Sequence, residues 1–221
     1  MERTIRVTGR GKISVAPDVI RLQISIEDVC DTYDQTLKQS TVQTEILKDC
    51  FEKIGFKRRD LKTIAFNVDT EYESYQDKER NWQRRFIGYK FCHSFKIEFG
   101  PDNQKLGQVL YALAHCPIHP EFRIIYTIKD VESAKNELLG KAICDSKTKA
   151  EVLTKAADVK LGEIKNIDYS WGEIDIISNP MDKLMEPCMM MEDSSARSYN
   201  MDIEPDDIDV TDTVTVIWGI E

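Results

Sequence analysis

Residues 3–26 read RTIRVTGRGKISVAPDVIRLQISI, and the fold class is worked out from this stretch. From Val19 to Ile26 the chain alternates strictly. Ile20, Leu22, Ile24 and Ile26 share one side, and Arg21, Gln23 and Ser25 take the other. A period of two places successive side chains on opposite faces, so this is a strand with one face buried. Upstream, TIRVTGR and KISVAP read as two shorter strands joined by a turn at Gly9–Gly11, because glycine tolerates the φ values that tight turns require. The glycines with Lys12 and Ser14 raise a second reading, a phosphate-binding loop. Such a loop needs a glycine five residues before its Gly-Lys pair, a Ser or Thr after the Lys, and a helix opening behind it. Here Arg6 stands at the first position, Ile13 follows Lys12, and strand follows the turn, so a nucleotide site is not expected.

Downstream the period changes. Tyr33, Leu37, Thr41, Thr44, Leu47, Phe51 and Ile54 recur every three or four residues, which predicts a helix over 31–54, capped by Asp31 or Thr32 and stopped at Gly55. Alternation returns in IAFNVDTEY, with Ile64, Phe66, Val68 and Tyr72 facing one way. It returns again in GYKFCHSFKIEF, with Tyr89, Phe91, His93, Phe95, Ile97 and Phe99 together. The polar SYQDKERNWQRR between them reads as a hairpin loop, which makes the two strands an antiparallel pair. A helix is expected over about 102–115, a strand at EFRIIYTIK, and a long helix over 130–158. The long helix takes Asp130 as N-cap and Val131, Ala134, Leu138, Ala142, Ala150, Leu153 and Ala157 as its stripe. Strands at IKNIDYSW and TDTVTVIWGI follow, separated by an irregular segment. The order is roughly β-β-α-β-β-α-β-α-β-β. That is an α+β protein: an antiparallel-rich β-sheet with helices packed on one face. A single domain over 1–221 is expected, with an irregular acidic, Met-rich insertion at about 171–207.

Composition narrows the function classes. Of 221 residues, 41% are apolar and 31% charged, which suits a globular chain. The net charge is −9, and twelve acids against only Lys183 and Arg197 fall within 171–212, so the remainder is near neutral. Neither part offers the basic stripe that nucleic acid requires. No apolar run approaches the ~20 residues of a bilayer span, and MERTIRVTGRG has no apolar core of a signal peptide. A cytoplasmic protein is expected, with a periplasmic or envelope location as the alternative if a leader was removed. The six cysteines are scattered without a CxxC pair and read as reduced, mostly buried thiols.

The candidate chemistry is thin. His115, Cys116 and His119 have the H-x3-H spacing of a zinc site, but Pro117 ends the helix that would align them, so they read as loop residues. Met181, Met185, Met189, Met190 and Met191 with Cys188 are soft ligands of the kind that suits Cu(I). The favoured reading is an adaptable partner surface. Cys92 and His93 adjoin, yet point to opposite sheet faces and cannot act as nucleophile and base. His93 reads as a hydrogen-bonded histidine on an apolar face. RNWQRR interleaves arginine with Trp82 and can stack on bases. On an acidic chain, a hairpin tip for protein contact through Trp82 and Arg84 is preferred. Val19, Ile125 and Ile217 break the polar sides of their strands, which suits a subunit contact.

In their order, these segments resemble the SIMPL domain family. RTIRVTGRGKISVAPD is similar to its VxGxGxxxxxPD opening, GFKRRDLKTIAFNVDTEY to its G…DI-x-T…Y segment, and FIGYKFCHSFKIEF to its GYxxxxxxxV strand. KAICDSKTKAEVLTKAADVKLGEIKNIDY resembles its Ala-rich helix with the LG turn, and DVTDTVTVIWGI its final strand. The match covers about 3–170 and 207–220. The resemblance implies bacterial envelope relatives tied to stress tolerance, some of them ring-like homo-oligomers, and an animal relative associated with a Pelle-like kinase. It carries over no catalytic residue, cofactor or metal ligand. The expected function is a non-enzymatic oligomeric scaffold or adaptor, stress-related, with Trp82, Arg84, Met189, Met190 and Met191 as partner contacts and the 171–207 segment as a second contact region. Rival readings are an enzyme with a site assembled from distant residues, and soft-metal binding by the Met run.

Overall fold

A computed structural model of the chain describes residues 3–78, 80–169, 176–178, 199 and 203–221. The described elements, in chain order, are β1 Thr4–Val15, β2 Val19–Cys30, α1 Tyr33–Glu52, β3 Lys62–Gln76, β4 Trp82–Phe99, α2 Asn103–Ala114, β5 Glu121–Thr127, α3 Val131–Ala156, β6 Leu161–Asp168, β7 Ile177–Ser178 and β8 Ile208–Ile220. The protein is α+β, with antiparallel sheets and helices against them. Its strands fall into two sheets, and the chain divides into two compact units. One comprises Met1–Asp18, Tyr126–Ser178 and Pro205–Glu221; the other comprises Val19–Ile125 and Asn179–Glu204.

In the first unit, β8 lies between β1 and β6, antiparallel to both. β1 runs unbroken from Thr4 to Val15, so the turn expected at Gly9–Gly11 does not exist. Thr4 pairs with Gly219 and Val15 with Ile208 without interruption. Val7, Gly9, Gly11 and Ile13 are the inward residues of that strand. The glycines are there for space rather than for turning. A Cβ on Gly9 would lie 1.9 Å from the carbonyl oxygen of Ala142, and one on Gly11 would lie 2.1 Å from that of Leu138. α3 therefore lies directly on the backbone of β1.

Its own sequence permits this. The buried stripe of α3 is Ala134, Leu138, Ala142, Ser146, Ala150 and Thr154, mostly small residues four apart. Leu153, assigned to that stripe from periodicity, faces outward at 49% exposure. The close approach is fastened by polar contacts. Arg10 N–H donates to Asp145 Oδ2 at 2.7 Å, the Ser146 hydroxyl donates to Val7 O at 3.3 Å, and Lys149 Nζ donates to Thr8 O at 3.3 Å. Beneath them, Val7, Val214, Val216 and Trp218 form one core cluster with Ala142 and Ala150. Ile13, Ile208 and Val210 form another with Ile128, Leu138 and Ile176.

In the second unit the strand order is β3-β4-β2-β5. Ile20, Leu22, Ile24 and Ile26 are all buried, as the alternation predicts. They pair across with Phe99, Ile97, Phe95 and His93 of β4. α1 packs over β2 and β4, capped by the Thr32 side chain accepting from Gln35 N–H. α2 is capped by Asp102 and buries Leu106, Val109, Leu110 and Leu113.

The stretch read as a polar hairpin loop is mostly strand. β3 continues to Gln76 and β4 starts at Trp82, with the turn residues Asp77, Lys78, Arg80 and Asn81 described between them. Asp77 closes that turn, its carboxylate accepting from Asn81 N–H at 2.9 Å. The face assigned from Ile64, Phe66, Val68 and Tyr72 is largely open among the described residues: Ile64, Phe66 and Tyr72 are exposed and Val68 is half-buried. Ile125, expected on an outer surface, is buried, and Val19 and Ile217 are half-buried.

Candidate functional site

The β3–β4 ribbon extends past its sheet. β2 stops opposite Tyr89, at Cys30, whereas β4 and β3 remain paired from Gly88 and Glu71 out to Trp82 and Gln76. Over that length each strand has one neighbour only among the described residues. At the departure point Gly88 has φ +152, and a Cβ there would lie 2.4 Å from the Cys30 carbonyl oxygen. The register shifts at the same place, between Glu71 and Tyr72, and a bulge of this kind strengthens the local twist. Gly88 is thus the residue at which the ribbon leaves the sheet.

Side chains on the ribbon are aromatic and charged. Tyr72 opposes Phe86 with ring centroids 5.7 Å apart, and Phe86 meets Tyr89 at 5.4 Å, which in turn meets Tyr33 at 5.7 Å. Trp82, Arg84 and Phe86 alternate onto the same face, and the Arg84 guanidinium sits 4.9 Å from the Tyr72 ring centre. On the opposite face Arg85 bridges Glu73 at 2.6 Å and lies over Tyr75. Trp82 is 72% exposed, and Tyr75, Phe86 and Ile87 are exposed too. Trp82 and Arg84, singled out in the sequence, therefore sit on one face of an open aromatic ribbon. Met189, Met190 and Met191, with the rest of the Met run, lie outside the described residues.

A second feature lies where α1 crosses β4. The N-terminal half of α1 turns hydroxyls and amides inward: Thr36, Ser40, Gln43 and Thr44 are buried, while Tyr33 and Leu37 face out. The buried groups meet polar partners. Gln43 Nε2 donates to Asp28 Oδ2 at 3.0 Å, and Ser40 and Thr44 hydroxyls lie 3.4 and 3.3 Å from His93 Nδ1. Thr44 Oγ1 already donates to Ser40 O at 2.7 Å, so it accepts from Nδ1–H. That leaves Nε2 to accept from the Thr63 hydroxyl at 2.9 Å. The imidazole packs on Phe66 and Phe95. An open cleft of about 430 Å³ lies here, lined by Leu37, Thr41, Glu45, Lys48 and Phe66 with His93, Ser40 and Thr44.

Burial, and then the Lys48 charge, hold the His93 pKa below its ordinary value of 6.5. Glu45 and Lys48 of α1 are the charged groups that line the cleft. The strand partners Ile26 and Phe66 carry no charge. The unfolded chain therefore takes up a proton at pH values where the native imidazole resists it. Thermal stability should fall as pH drops through 6.5 and level off below the native pKa. In His93→Gln that part of the decline should vanish, whereas losses from Glu98, Asp145 and Asp209, whose pKa values lie below 4.5 or 3.8, should persist in more acidic buffer. Melting curves from pH 7.5 to 5.5 would check this; equal declines in both proteins would rule out His93 as the source.

Among the described residues, no group of three or more His, Cys, Asp or Glu converges to hold a metal ion. His115 caps α2 and stacks on Tyr111 at 4.0 Å, while Cys116 turns into the core. The GRGKIS segment is the middle of a strand. No described helix is long and apolar enough to cross a membrane.

The fold is α+β, and beside its second sheet stands an open aromatic ribbon. The chain belongs to the SIMPL family, described as protein of unknown function (DUF541), whose pattern matches residues 5–218. It is similar to the 26 kDa periplasmic immunogenic protein of Brucella melitensis, 23% identical over 163 residues, and equally to that of Brucella abortus. The matched region makes up 74% of this chain and 65% of each relative, a little under two thirds of their length.

Proposed function

We propose that the protein is a non-catalytic scaffold that assembles with further copies of itself through the β3–β4 ribbon. The observation that carries this reading is the row Tyr72, Phe86 and Trp82, exposed on a two-stranded ribbon whose edges pair with no other described strand. An isolated two-stranded hairpin is marginally stable in water, and three strands or a covering surface are needed to hold it. Unpaired edges are templates for another strand, and each aromatic side chain covered contributes about 1.5–3 kcal/mol. A second copy suits the surface because the ribbon's charge is largely satisfied within it, Arg85 bridging Glu73 and Arg84 lying over Tyr72, so two such ribbons can meet through their aromatic rows with little repulsion. The absence of turnover is part of the proposal. The described hydrogen-bond partners of His93 are hydroxyls, with no carboxylate to orient it as a base.

Light scattering at micromolar concentration should give a multiple of the 25.5 kDa chain mass. Replacing Trp82, Tyr72 and Phe86 together by Ser should return the mass to that of one chain with the far-ultraviolet circular dichroism unchanged. A wild-type protein that scatters as a single chain at that concentration would refute the assembly. The compartment is proposed with it. The names of the two Brucella relatives support a periplasmic or envelope location over the cytoplasmic one, and fractionation of the native host would decide between them.

A further inference from the structure

Cys50 and Cys116 come from distant parts of the second unit and meet. Cys50 lies in the last turn of α1 and is half-buried; Cys116 follows the cap of α2 and is fully buried. The Cys50 thiol donates to the Cys116 sulfur across 3.3 Å. A disulfide needs about 2.05 Å, so a further approach of about 1.2 Å, shared by two side-chain rotations, would close the bond. The core holds Cys116 in place. Its N–H donates to Leu113 O at 3.1 Å, and Leu113 is itself buried. Among the described cysteines no other pair makes a sulfur–sulfur hydrogen bond, and Cys144 is exposed.

We propose that Cys50 and Cys116 form a preorganised dithiol, a specific site of oxidation by small-molecule disulfides, with Cys50 as the entry thiol and Cys116 as the resolving one. The Cys50 thiolate attacks one sulfur of the oxidant, breaks its S–S bond and expels one thiolate, leaving a mixed disulfide at Cys50. The Cys116 thiolate then attacks the Cys50 sulfur and expels the second thiolate. The two protons given up by the cysteines go to the two leaving thiolates. The pair loses two electrons and the oxidant gains them. The partial exposure of Cys50 admits the oxidant, and the burial of Cys116 keeps a bulky adduct from forming there.

The reaction is slow at neutral pH by construction. Burial, and the hydrogen bond to Cys116, push the Cys50 pKa up to about 11. The rate should therefore rise about tenfold per pH unit between 7 and 10. Slow closure suits a latch set once, not a rapid sensor.

The test incubates the full-length protein with excess glutathione disulfide, alkylates the remaining thiols and maps peptides without reduction. The expected product is a Cys50–Cys116 crosslink, with Cys144 present as a glutathione adduct. Closing a loop between residues 66 apart should also raise the melting temperature, on the order of 10 °C, and dithiothreitol should reverse the rise. A glutathione adduct retained at Cys50, alkylation of both thiols, a crosslink to any other cysteine, or a fall in melting temperature on closure would each overturn the proposal. The wild-type chain suffices, so no core substitution is needed. The outcome is also independent of the assembly reading.

Discussion

Gly9→Ala should destabilise the first unit by about 3 kcal/mol or more, seen as a fall in melting temperature of roughly 6–12 °C. The new Cβ would lie 1.9 Å from Ala142 O, 2.5 Å from Ser146 N and 2.8 Å from Ser146 Cβ. Two of these three are backbone atoms of a helix and cannot rotate aside. α3 would have to lift from β1, and with it would go the Arg10–Asp145 and Ser146–Val7 hydrogen bonds and the cover over Val7. Gly11→Ala should behave alike, since Leu138 O lies 2.1 Å from its added carbon. The control is Gly140→Ala. Gly140 lies on α3 with nothing within 4 Å of an added Cβ, so alanine there should stabilise by about 0.5–1 kcal/mol through helix propensity. Denaturant titration of the three variants would check the ranking. If Gly9→Ala proved as stable as wild type, the close helix–strand contact would be wrong.

Gly88→Ala carries the second large effect, and it separates fold from assembly. Alanine at φ +152 is strained, and its Cβ would press on the Cys30 carbonyl at 2.4 Å, where the pairing of β2 with β4 ends. The expected cost is about 2–3 kcal/mol. Relief is cheapest by letting β4 swing away beyond Tyr89, which re-aims the ribbon. The buried stretch of β4, Phe91 to Ile97, keeps its pairing with β2 and its cover by α1. The variant should therefore fold and melt cooperatively, yet scatter as a single chain at concentrations where wild type assembles. An assembled Gly88→Ala protein of wild-type stability would show that Gly88 does not aim the ribbon. Gly100→Ala, with nothing within 4 Å of its added carbon, should leave the mass unchanged.

The elements themselves were legible in the chain. The alternation of Ile20, Leu22, Ile24 and Ile26 predicted β2, and all four are buried. Of the caps expected, Thr32, one of the two candidates for α1, and Asp130 each accept from the backbone of the following turn, because a short polar side chain before an apolar period satisfies an otherwise unpaired N–H. Hydrophobic pattern failed where the partner surface was not itself apolar. The inner face of α1 carries Thr36, Ser40 and Gln43 because it meets His93, Asp28 and the Tyr89 carbonyl. No periodicity of apolar residues could have revealed that. The spacing of Thr36, Ser40 and Thr44 at four-residue intervals was the available signal for the His93 cleft.

The ribbon was missed for a related reason. SYQDKERNWQRR is polar, and polarity beside a turn signal reads as loop. Yet a strand exposed on both faces has no reason to alternate apolar with polar, and only its pairing defines it. The pairings of cysteines are equally silent in sequence, since Cys50 and Cys116 are joined by packing and not by spacing.

What the residue order determined alone is local and periodic: strands, helices, their caps and the α+β class, because each follows from backbone sterics and from which side chains avoid water. What tertiary structure decided is who faces whom. The glycines of GRGKIS look like a turn until α3 is laid on them. Then they are the two positions where a helix backbone comes too near for any side chain. That role is set by atoms more than 120 residues away, and a chain read in one dimension carries no record of such a distance.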